Sequence, residues 1–471
     1  MIRPSLIVLA ASGVLASFPA AADTDLQALR AEIAQMKQAY EQRIAALENR
    51  LVQAESTSTQ AKAAAEQAAT RAATQTARAG DGKASAFNPE IGLVLQGQAK
   101  RMQDVPERMV SGYWPAGHDH GAEKRGASLQ HSELMFAANI DPGFRGVARF
   151  AVTGAGEVEV EEASVSTLGL GNGLSVRAGR FASNIGYENA RHPHEWDFAD
   201  ATLMQKVLFG AEGYRQDGVQ VKWLAPTPFM LQFGAEFGRG ANFPGTDRNK
   251  NGSGAGALFA KTGGDVGASN AWQAGLSFLN TSAADRAAHF EDTGGVEAES
   301  FFSGKSRTAI ADFVWKWAPN GNASDRSLKL QTEVFRRTEQ GTWRCDDADP
   351  ANATTCTGGV ALGDLLTRQT GGYASAVYQF MPKWRVGYRH DWLGKGSKSF
   401  DAMVFNLLDA GNHYFADFKP RKDSVMLDWS NSEFSRLRLQ YARDRAMMGV
   451  TDNQVTLQYI MSLGAHGAHK F

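Results

Sequence analysis

Two short histidine clusters are the groups in this chain best suited to metal chemistry. Each cluster has two histidines two positions apart, in a glycine-rich segment or directly before acidic residues, and a fifth histidine follows the first cluster. The residues are His118, His120, His131, His192 and His194. Imidazole and carboxylate ligands suit Zn²⁺ and related ions. Two interpretations stay open: either the pairs His118/His120 and His192/His194 contact zinc, or they are ordinary polar loop residues and no cofactor is bound.

Basic residues recur at alternate positions in several segments. The ones expected on a common inward face are Lys329, Arg385, Arg389, Arg436 and Arg438. Guanidinium groups along a pore wall would attract anions and pass them through weak sequential contacts. The alternative is that they pair with inward acids such as Glu333, Asp391 and Asp428 in structural salt bridges. The formal net charge of −1 favours neither interpretation.

Other kinds of chemistry find no support in the sequence. It contains no nucleophile elbow, phosphate-binding loop or HExxH zinc motif, so we do not expect an enzyme. A net charge of −1 gives no basic surface for nucleic acid.

Cys345 and Cys356 flank a polar, acidic loop. In an oxidising compartment we expect them to form a disulfide worth roughly 3 kcal/mol by loop closure. Metal binding by the thiols is the less favoured interpretation.

Segments that alternate apolar and polar residues run from about residue 87 onward. In one of them Leu437 and Leu439 alternate with Arg438 and Gln440. Period-two alternation is typical of a strand with two different faces. A water-soluble sandwich needs a dry interior, whereas a barrel in lipid takes apolar residues outside and charged residues inside. We predict an all-β transmembrane barrel of about 16 antiparallel strands, and eighteen would also fit.

The segments before the barrel predict export and a helical extension. Residues 1–22 carry one early charge, a short apolar run and small residues, which is typical of a secretory signal peptide. Residues 23–55 place apolar side chains at heptad spacing, which predicts a coiled coil. The alternative is a helix lying on its own barrel. Residues 56–86 form an Ala-rich spacer, and residues 87–471 form the barrel. The predicted location is the outer membrane of a Gram-negative bacterium, in contact with its lipid.

The last residue of the sequence is aromatic, Phe471. Outer-membrane barrels usually end in an aromatic residue, which agrees with the predicted location. Val455, Leu457 and Tyr459 alternate with polar neighbours upstream of it. The closing strand is expected either over Gln454–Leu463 or extended through His466 and His469.

Two resemblances follow from this organisation. The signal, helical segment and barrel ending in Phe471 resemble the phosphate-selective porin O and P type of channel, which implies a sixteen-stranded homotrimer with a basic pore lining. The stretch of residues 179–198, with its HPHEWDF block, and the WLAPT block at 223–227 resemble poorly characterised proteobacterial outer-membrane proteins, some labelled as zinc-regulated receptors.

Two functional hypotheses result. The first is a passive porin that admits small hydrophilic solutes, with anions such as phosphate as candidates. The second is a protein that captures zinc or assists its uptake, with its coiled coil reaching toward the cell wall. No partner nucleic acid is expected in either case.

Overall fold

The computed structural model describes residues 34–38, 41–42, 44–45, 89–105, 108–114, 124–152, 156–210, 213–291, 297–347, 361–400 and 416–464. The chain divides into two units, Met1–Ala86 and Phe87–Phe471. The second unit contains all the strands.

Eighteen strand segments make up one antiparallel sheet. They are β1 (Glu90–Arg101), β2 (Gly126–Leu129), β3 (Ser132–Asp141), β4 (Phe144–Val152), β5 (Val158–Thr167), β6 (Leu174–Ala182), β7 (Arg215–Leu224), β8 (Met230–Gly238), β9 (Ala255–Val266), β10 (Asn270–Glu291), β11 (Glu297–Trp317), β12 (Ser327–Asp347), β13 (Ala361–Met381), β14 (Trp384–Leu393), β15 (Ser397–Phe400), β16 (Arg421–Ser432), β17 (Ser435–Arg445) and β18 (Asp452–Gly464). Within the described part of the second unit, the helical elements are one α-helix, α1 (Leu203–Phe209), and two 3-10 turns, Pro193–Glu195 and Pro319–Gly321.

The sheet closes on itself, because β1 pairs with β18 on one side and with β3 on the other. Two wall positions are each shared by two segments. Both β2 and β3 lie along β1, and both β14 and β15 lie along β13. The barrel therefore has 16 strands around its circumference, as the sequence predicted.

Side chains alternate between the two faces of the wall as expected. On β18, Gln454 and Gln458 are buried at 2% and 1% exposure, while Val455 and Leu457 are 40% and 45% exposed. The same contrast recurs on β17, where Arg438 is fully buried and Leu439 is 49% exposed. A closed barrel that is apolar outside and charged inside satisfies every backbone group within lipid. The chain is a bacterial outer-membrane β-barrel.

The two ends of the barrel differ in the length of their connections. Turns such as those joining β3 to β4 and β16 to β17 are short, whereas the connections from β6 to β7 and from β15 to β16 are long. Outer-membrane barrels keep short turns on the periplasmic side. Strands β10 to β13 are 21 or 22 residues long. Since ~9–11 residues span the membrane, these strands extend beyond it at the long-loop end.

The described part of the connection from β6 to β7, residues 183–210 and 213–214, folds into the barrel and is called the inner segment. It carries α1, which begins after Thr202. The Thr202 hydroxyl accepts a hydrogen bond from the backbone N–H of Gln205 at 3.0 Å, which caps the helix start. The helix ends at Gly210, whose φ of 86° suits glycine. The alternation pattern did not predict this inward fold.

Helix α1 packs its apolar side chains against one half of the barrel wall. Leu203, Val207 and Leu208 are at most 2% exposed. They belong to a cluster with wall residues of β9 to β14, including Ile310 and Phe335. Burying such side chains stabilises by ~1.5–3 kcal/mol each. Around α1 the interior is therefore filled by packed apolar side chains, while the same strands also carry buried charges such as Arg286 and Glu339.

Several sequence predictions fall outside the described residues. Residues 34–38, 41–42 and 44–45 are helical, with Met36 and Ile44 each 53% exposed. The other residues from 1 to 88 are not described. The signal peptide, the coiled-coil pairing and the spacer therefore stay predictions. The side chain of Cys345, the whole of Cys356 and residues 465–471 are likewise not described, so the disulfide stays a prediction too.

Among the described residues, no helix has the length and apolar character needed to cross a membrane.

Candidate functional site in the barrel interior

Asp197 of the inner segment lies between two basic groups of the wall. Lys329 Nζ on β12 is 2.9 Å from its Oδ2, and Arg385 Nη1 on β14 is 2.9 Å from its Oδ1. Burial alone would raise the pKa of the Asp197 carboxyl. Lys329 and Arg385 outweigh that effect and hold this pKa well below its ordinary value of 3.8. The carboxylate is therefore charged and held from both sides.

Asp200 is held in the same way three residues later. Lys422 Nζ is 2.7 Å from its Oδ2, and Arg389 Nη2 is 3.2 Å from its Oδ1. Arg389 also pairs with Asp391 of its own strand at 2.8 Å. Burial would raise the pKa of Asp200, but Lys422 and Arg389 keep it well below the ordinary value. Asp197 and Asp200 thus tie the inner segment to β12, β14 and β16.

Two arginines of β17 hold the backbone of the inner segment. Arg438 Nη2 donates to the carbonyl of Trp196 at 3.0 Å, while its Nε pairs with Asp428 Oδ1 at 2.8 Å. Arg436 donates to the carbonyl of His194. Charge-assisted bonds of this kind are stronger than neutral ones.

All five predicted pore-lining residues face inward, and each contacts the inner segment. They are Lys329, Arg385, Arg389, Arg436 and Arg438. Arg385, Arg389 and Arg438 also pair with wall aspartates, so the salt-bridge interpretation describes their contacts. A part in passing anions stays a prediction for these groups, of which Arg389 and Arg438 are at most 2% exposed.

Glu333 on β12 also holds the backbone of the inner segment, through N–H groups rather than carbonyls. Its carboxylate accepts N–H bonds from Tyr187 at 2.9 Å and Glu188 at 2.8 Å, and the Tyr373 hydroxyl at 2.7 Å. Gly186, with φ of 65°, passes directly beside it. A Cβ there would lie 2.4 Å from Glu333 Oε2. Only glycine therefore allows this close approach.

A polar cavity of about 180 Å³ lies between the inner segment and the wall formed by β18, β1 and β3 to β7. Its charged lining consists of Glu133, Glu162, Glu195, Arg149, Arg177 and Lys222, beside His192 and His194. Acids and bases are equal in number, so neither sign dominates. This cavity is on the side of the barrel away from the apolar core around α1.

Three histidines and two glutamates meet at this cavity. Glu133 Oε1 lies 3.5 Å from His131 Nε2, 3.4 Å from His192 Nδ1 and 3.1 Å from His194 Nδ1. Glu161 lies 2.9 Å from His131 Nε2 and 3.5 Å from His192 Nδ1. The groups of His131, Glu133 and Glu161 are close enough together to hold a metal ion.

Two arginines orient the glutamates of this cluster. Arg149 Nη1 lies 2.7 Å from Glu133 Oε2, and Arg215 pairs with Glu161. Burial alone would lower the pKa of His192. Glu133 and Glu161 outweigh it and raise this pKa to about 10. With no metal bound, His192 is therefore a cation among carboxylates.

The structure brings together only part of the predicted metal set. His192 and His194 do lie side by side, with ring centroids 5.9 Å apart, and His131 joins them. His118 and His120 lie outside the described residues. The two glutamates were missed because they come from different hairpins, and the only available signal was their inward position in the strand alternation.

No family model matches the chain. Solved structures with a similar fold include the loop L8 deletion mutant of OmpT, an outer-membrane protein of Vibrio cholerae (11% identity, 80% of this chain and 99% of that chain, TM-score 0.47). A second is the outer-membrane channel DcaP of Acinetobacter baumannii (12% identity, 80% of this chain and 97% of that chain, TM-score 0.45). A third is an anion-selective porin from Comamonas acidovorans (11% identity, 80% of this chain and 99% of that chain, TM-score 0.44).

A relative by sequence is a protein of Aquifex aeolicus (strain VF5) described as "Uncharacterized protein". The two are 31% identical over 414 residues, which cover 82% of this chain and 80% of the relative. Identity at this level over most of both chains means that this chain belongs to the family of the Aquifex aeolicus protein.

Proposed function

We propose that the protein is a passive outer-membrane channel for small hydrophilic solutes, and that solutes pass on the side of the polar cavity. The observation that carries the proposal is this cavity of about 180 Å³, lined by charged side chains of both the wall and the inner segment. Wet, charged interiors are typical of outer-membrane channels.

The opposite side of the interior is unsuited to hydrophilic solutes. There α1 fills the space with Leu203, Val207 and Leu208, all nearly inaccessible, and a polar solute would lose its hydration without gaining partners. The ion pairs at Asp197 and Asp200 hold the inner segment in this position. The inner segment therefore narrows the lumen and leaves the cavity side for passage.

The charges of the cavity favour weak ion selectivity. Arg177 Nη2 lies 3.2 Å from Glu162 Oε1, and Arg149 Nη1 lies 2.7 Å from Glu133 Oε2. Arginine forks already occupied by carboxylates offer less to an incoming phosphate. We propose a channel with a slight preference between ions rather than a phosphate-specific one.

Planar-bilayer recording of the purified protein tests this function. We expect stepwise conductance, and Arg177→Gln should shift the reversal potential in a salt gradient toward cations, because it removes one cavity cation. Arg239→Gln makes the same charge change in an exposed ion pair with Asp247 and should leave the potential unchanged. Folded protein that passes no current would refute the channel, and equal shifts in both variants would refute the proposed path.

We also propose a homotrimer, with the predicted heptads of residues 23–55 as its assembly element and as a contact toward the cell wall. The support is the heptad spacing, which leaves an apolar stripe that a single helix cannot bury. The mass of the detergent-solubilised protein tests the trimer.

A further inference from the structure

We propose that His131, Glu133, Glu161 and His192 form a binding site for one divalent transition-metal ion of the Zn²⁺ class. The four groups come from three parts of the barrel. His131 and Glu133 are at the start of β3, Glu161 is on β5, and His192 belongs to the inner segment. Two imidazoles and two carboxylates are a donor set that suits such an ion.

The distances within the cluster fit a tetrahedral ion. With bonds of ~2.0–2.1 Å, the donor atoms of a tetrahedral site lie roughly 3.3–3.4 Å apart. The two histidines contact the two glutamates at 2.9, 3.5, 3.4 and 3.5 Å. Three of these contacts are longer than a common hydrogen bond of ~2.7–3.2 Å. The 2.9 Å contact joins His131 to Glu161 Oε1, which also pairs with Arg215, whereas His192 faces Glu161 Oε2. The three longer contacts leave room for an ion between the donors.

The surroundings of the cluster hold the donors in place. Arg149 contacts Glu133 through Oε2, which leaves Oε1 directed at the histidines. Arg215 pairs with Glu161 through Oε1, while Oε2 faces His192. Partners that fix the orientation of ligands are a regular feature of protein metal sites. The two arginines also reduce the charge that the ion would meet, so this set favours an ion that binds imidazole over Mg²⁺ or Ca²⁺.

An ion can reach the cluster from the lumen. Glu133 and His192 line the polar cavity, whereas the Glu161 side chain is fully buried behind them. His194 Nδ1 lies 3.1 Å from Glu133 Oε1 and offers a fifth donor at the cavity side. The site is therefore open on one side and enclosed on the other.

A bound ion would link the inner segment to the wall. It would join His192 to β3 and β5, in addition to the contacts that β12, β14 and β17 make with the inner segment. The metal would thereby fix the inner segment next to the passage and lower its conductance. This consequence rests on the proposed channel, whereas metal binding itself does not.

Calorimetric titration with ZnCl₂ tests the site, using the full chain in detergent without a histidine tag. We expect one Zn²⁺ per chain, bound about tenfold or more weakly by His192→Ala and by Glu133→Gln. His390→Ala removes a histidine that pairs with Asp423 elsewhere on the barrel and should bind like the wild type. The double variant His118→Ala/His120→Ala should also be unchanged.

Several results would overturn the proposal. These are no saturable binding by the wild type, unchanged affinity in both cluster variants, or a loss confined to the His118/His120 variant. If a cluster variant does not fold, X-ray absorption of the zinc-loaded wild type decides instead. Nitrogen and oxygen ligands at ~2.0–2.2 Å support the site, and octahedral coordination by oxygen alone refutes it.

Conductance measured with EDTA tests the channel separately. A zinc-binding protein whose conductance ignores zinc would refute the regulatory consequence.

Discussion

Arg385 of β14 and Asp197 of the inner segment are 188 positions apart in the sequence, and their side chains lie 2.9 Å from each other inside the barrel. Lys329 approaches the same carboxylate from β12. The pair shows how the interior is organised: basic residues of the wall hold a segment that the chain inserts between its sixth and seventh strands.

Asp197→Asn should loosen the inner segment. It leaves Lys329 and Arg385 without their shared carboxylate. The pair is partly buried and Arg385 keeps Asp428, so the cost lies below the ~3–5 kcal/mol of a fully buried pair. We expect larger single-channel conductance and faster tryptic cleavage after Arg191. Asp247→Asn breaks the exposed pair with Arg239, which is worth ~1 kcal/mol at most, and serves as the control. Wild-type conductance and cleavage in Asp197→Asn would contradict the proposed attachment.

Gly186→Ala should destabilise the barrel more than Gly252→Ala. Both glycines have positive φ, 65° and 87°, so both alanine variants incur backbone strain of ~1–2 kcal/mol. Only at Gly186 would the new Cβ also meet Glu333, whereas nothing lies within 4 Å at Gly252. Urea unfolding of each variant measures the difference. Equal midpoints would mean that the backbone near Glu333 is not held as closely as described.

The attachment of the inner segment should resist mild acid. The pKa values of Asp197 and Asp200 are lowered in the folded protein, so their stabilisation is complete above the unfolded value of 3.8 and is lost as the pH falls through the folded values. Conductance should therefore stay constant from about pH 7 to pH 5 and change only below about pH 4.

The variant Asp197→Asn/Asp200→Asn provides the control for this acid response. It lacks both titrating carboxylates, so the change below about pH 4 should disappear or shrink strongly. An undiminished acid response would assign the effect to other groups.

Deleting residues 23–86 should separate assembly from folding. The predicted heptads are then absent while every strand remains. We expect monomeric barrels that still conduct, and light scattering of the detergent complex gives the mass. A deletion variant that stays trimeric would show that the barrel walls carry the assembly.

The barrel wall could be predicted from the sequence because its signal repeats in several strands, such as β17 and β18. Residues such as Gln458 and Leu457 show the alternation without reference to any distant part of the chain. The number of strands followed from length. The inward position of Arg385 and Arg438 followed as well, since a period of two fixes which face each side chain occupies.

The inner segment could not be predicted in this way. Helix α1 has seven residues, too few for a helical period to stand out against a short apolar strand. The partners of the arginines also depend on distant pairs, such as Arg438 with the Trp196 carbonyl. The same holds for Glu161, which meets His131 and His192 only after three strands and a long connection have been placed.

The carbonyl of Trp196 and its donor Arg438 are 242 positions apart in the sequence. This separation has a consequence for how the barrel folds. The inner segment precedes β12, β14 and β17 in the sequence, so the partners of its aspartates and carbonyls come from strands that are synthesised after it. Contacts between such distant residues form late and slowly. The strands that follow the inner segment in the sequence supply its counter-charges, so its aspartates can be paired as described only when those strands are in the wall.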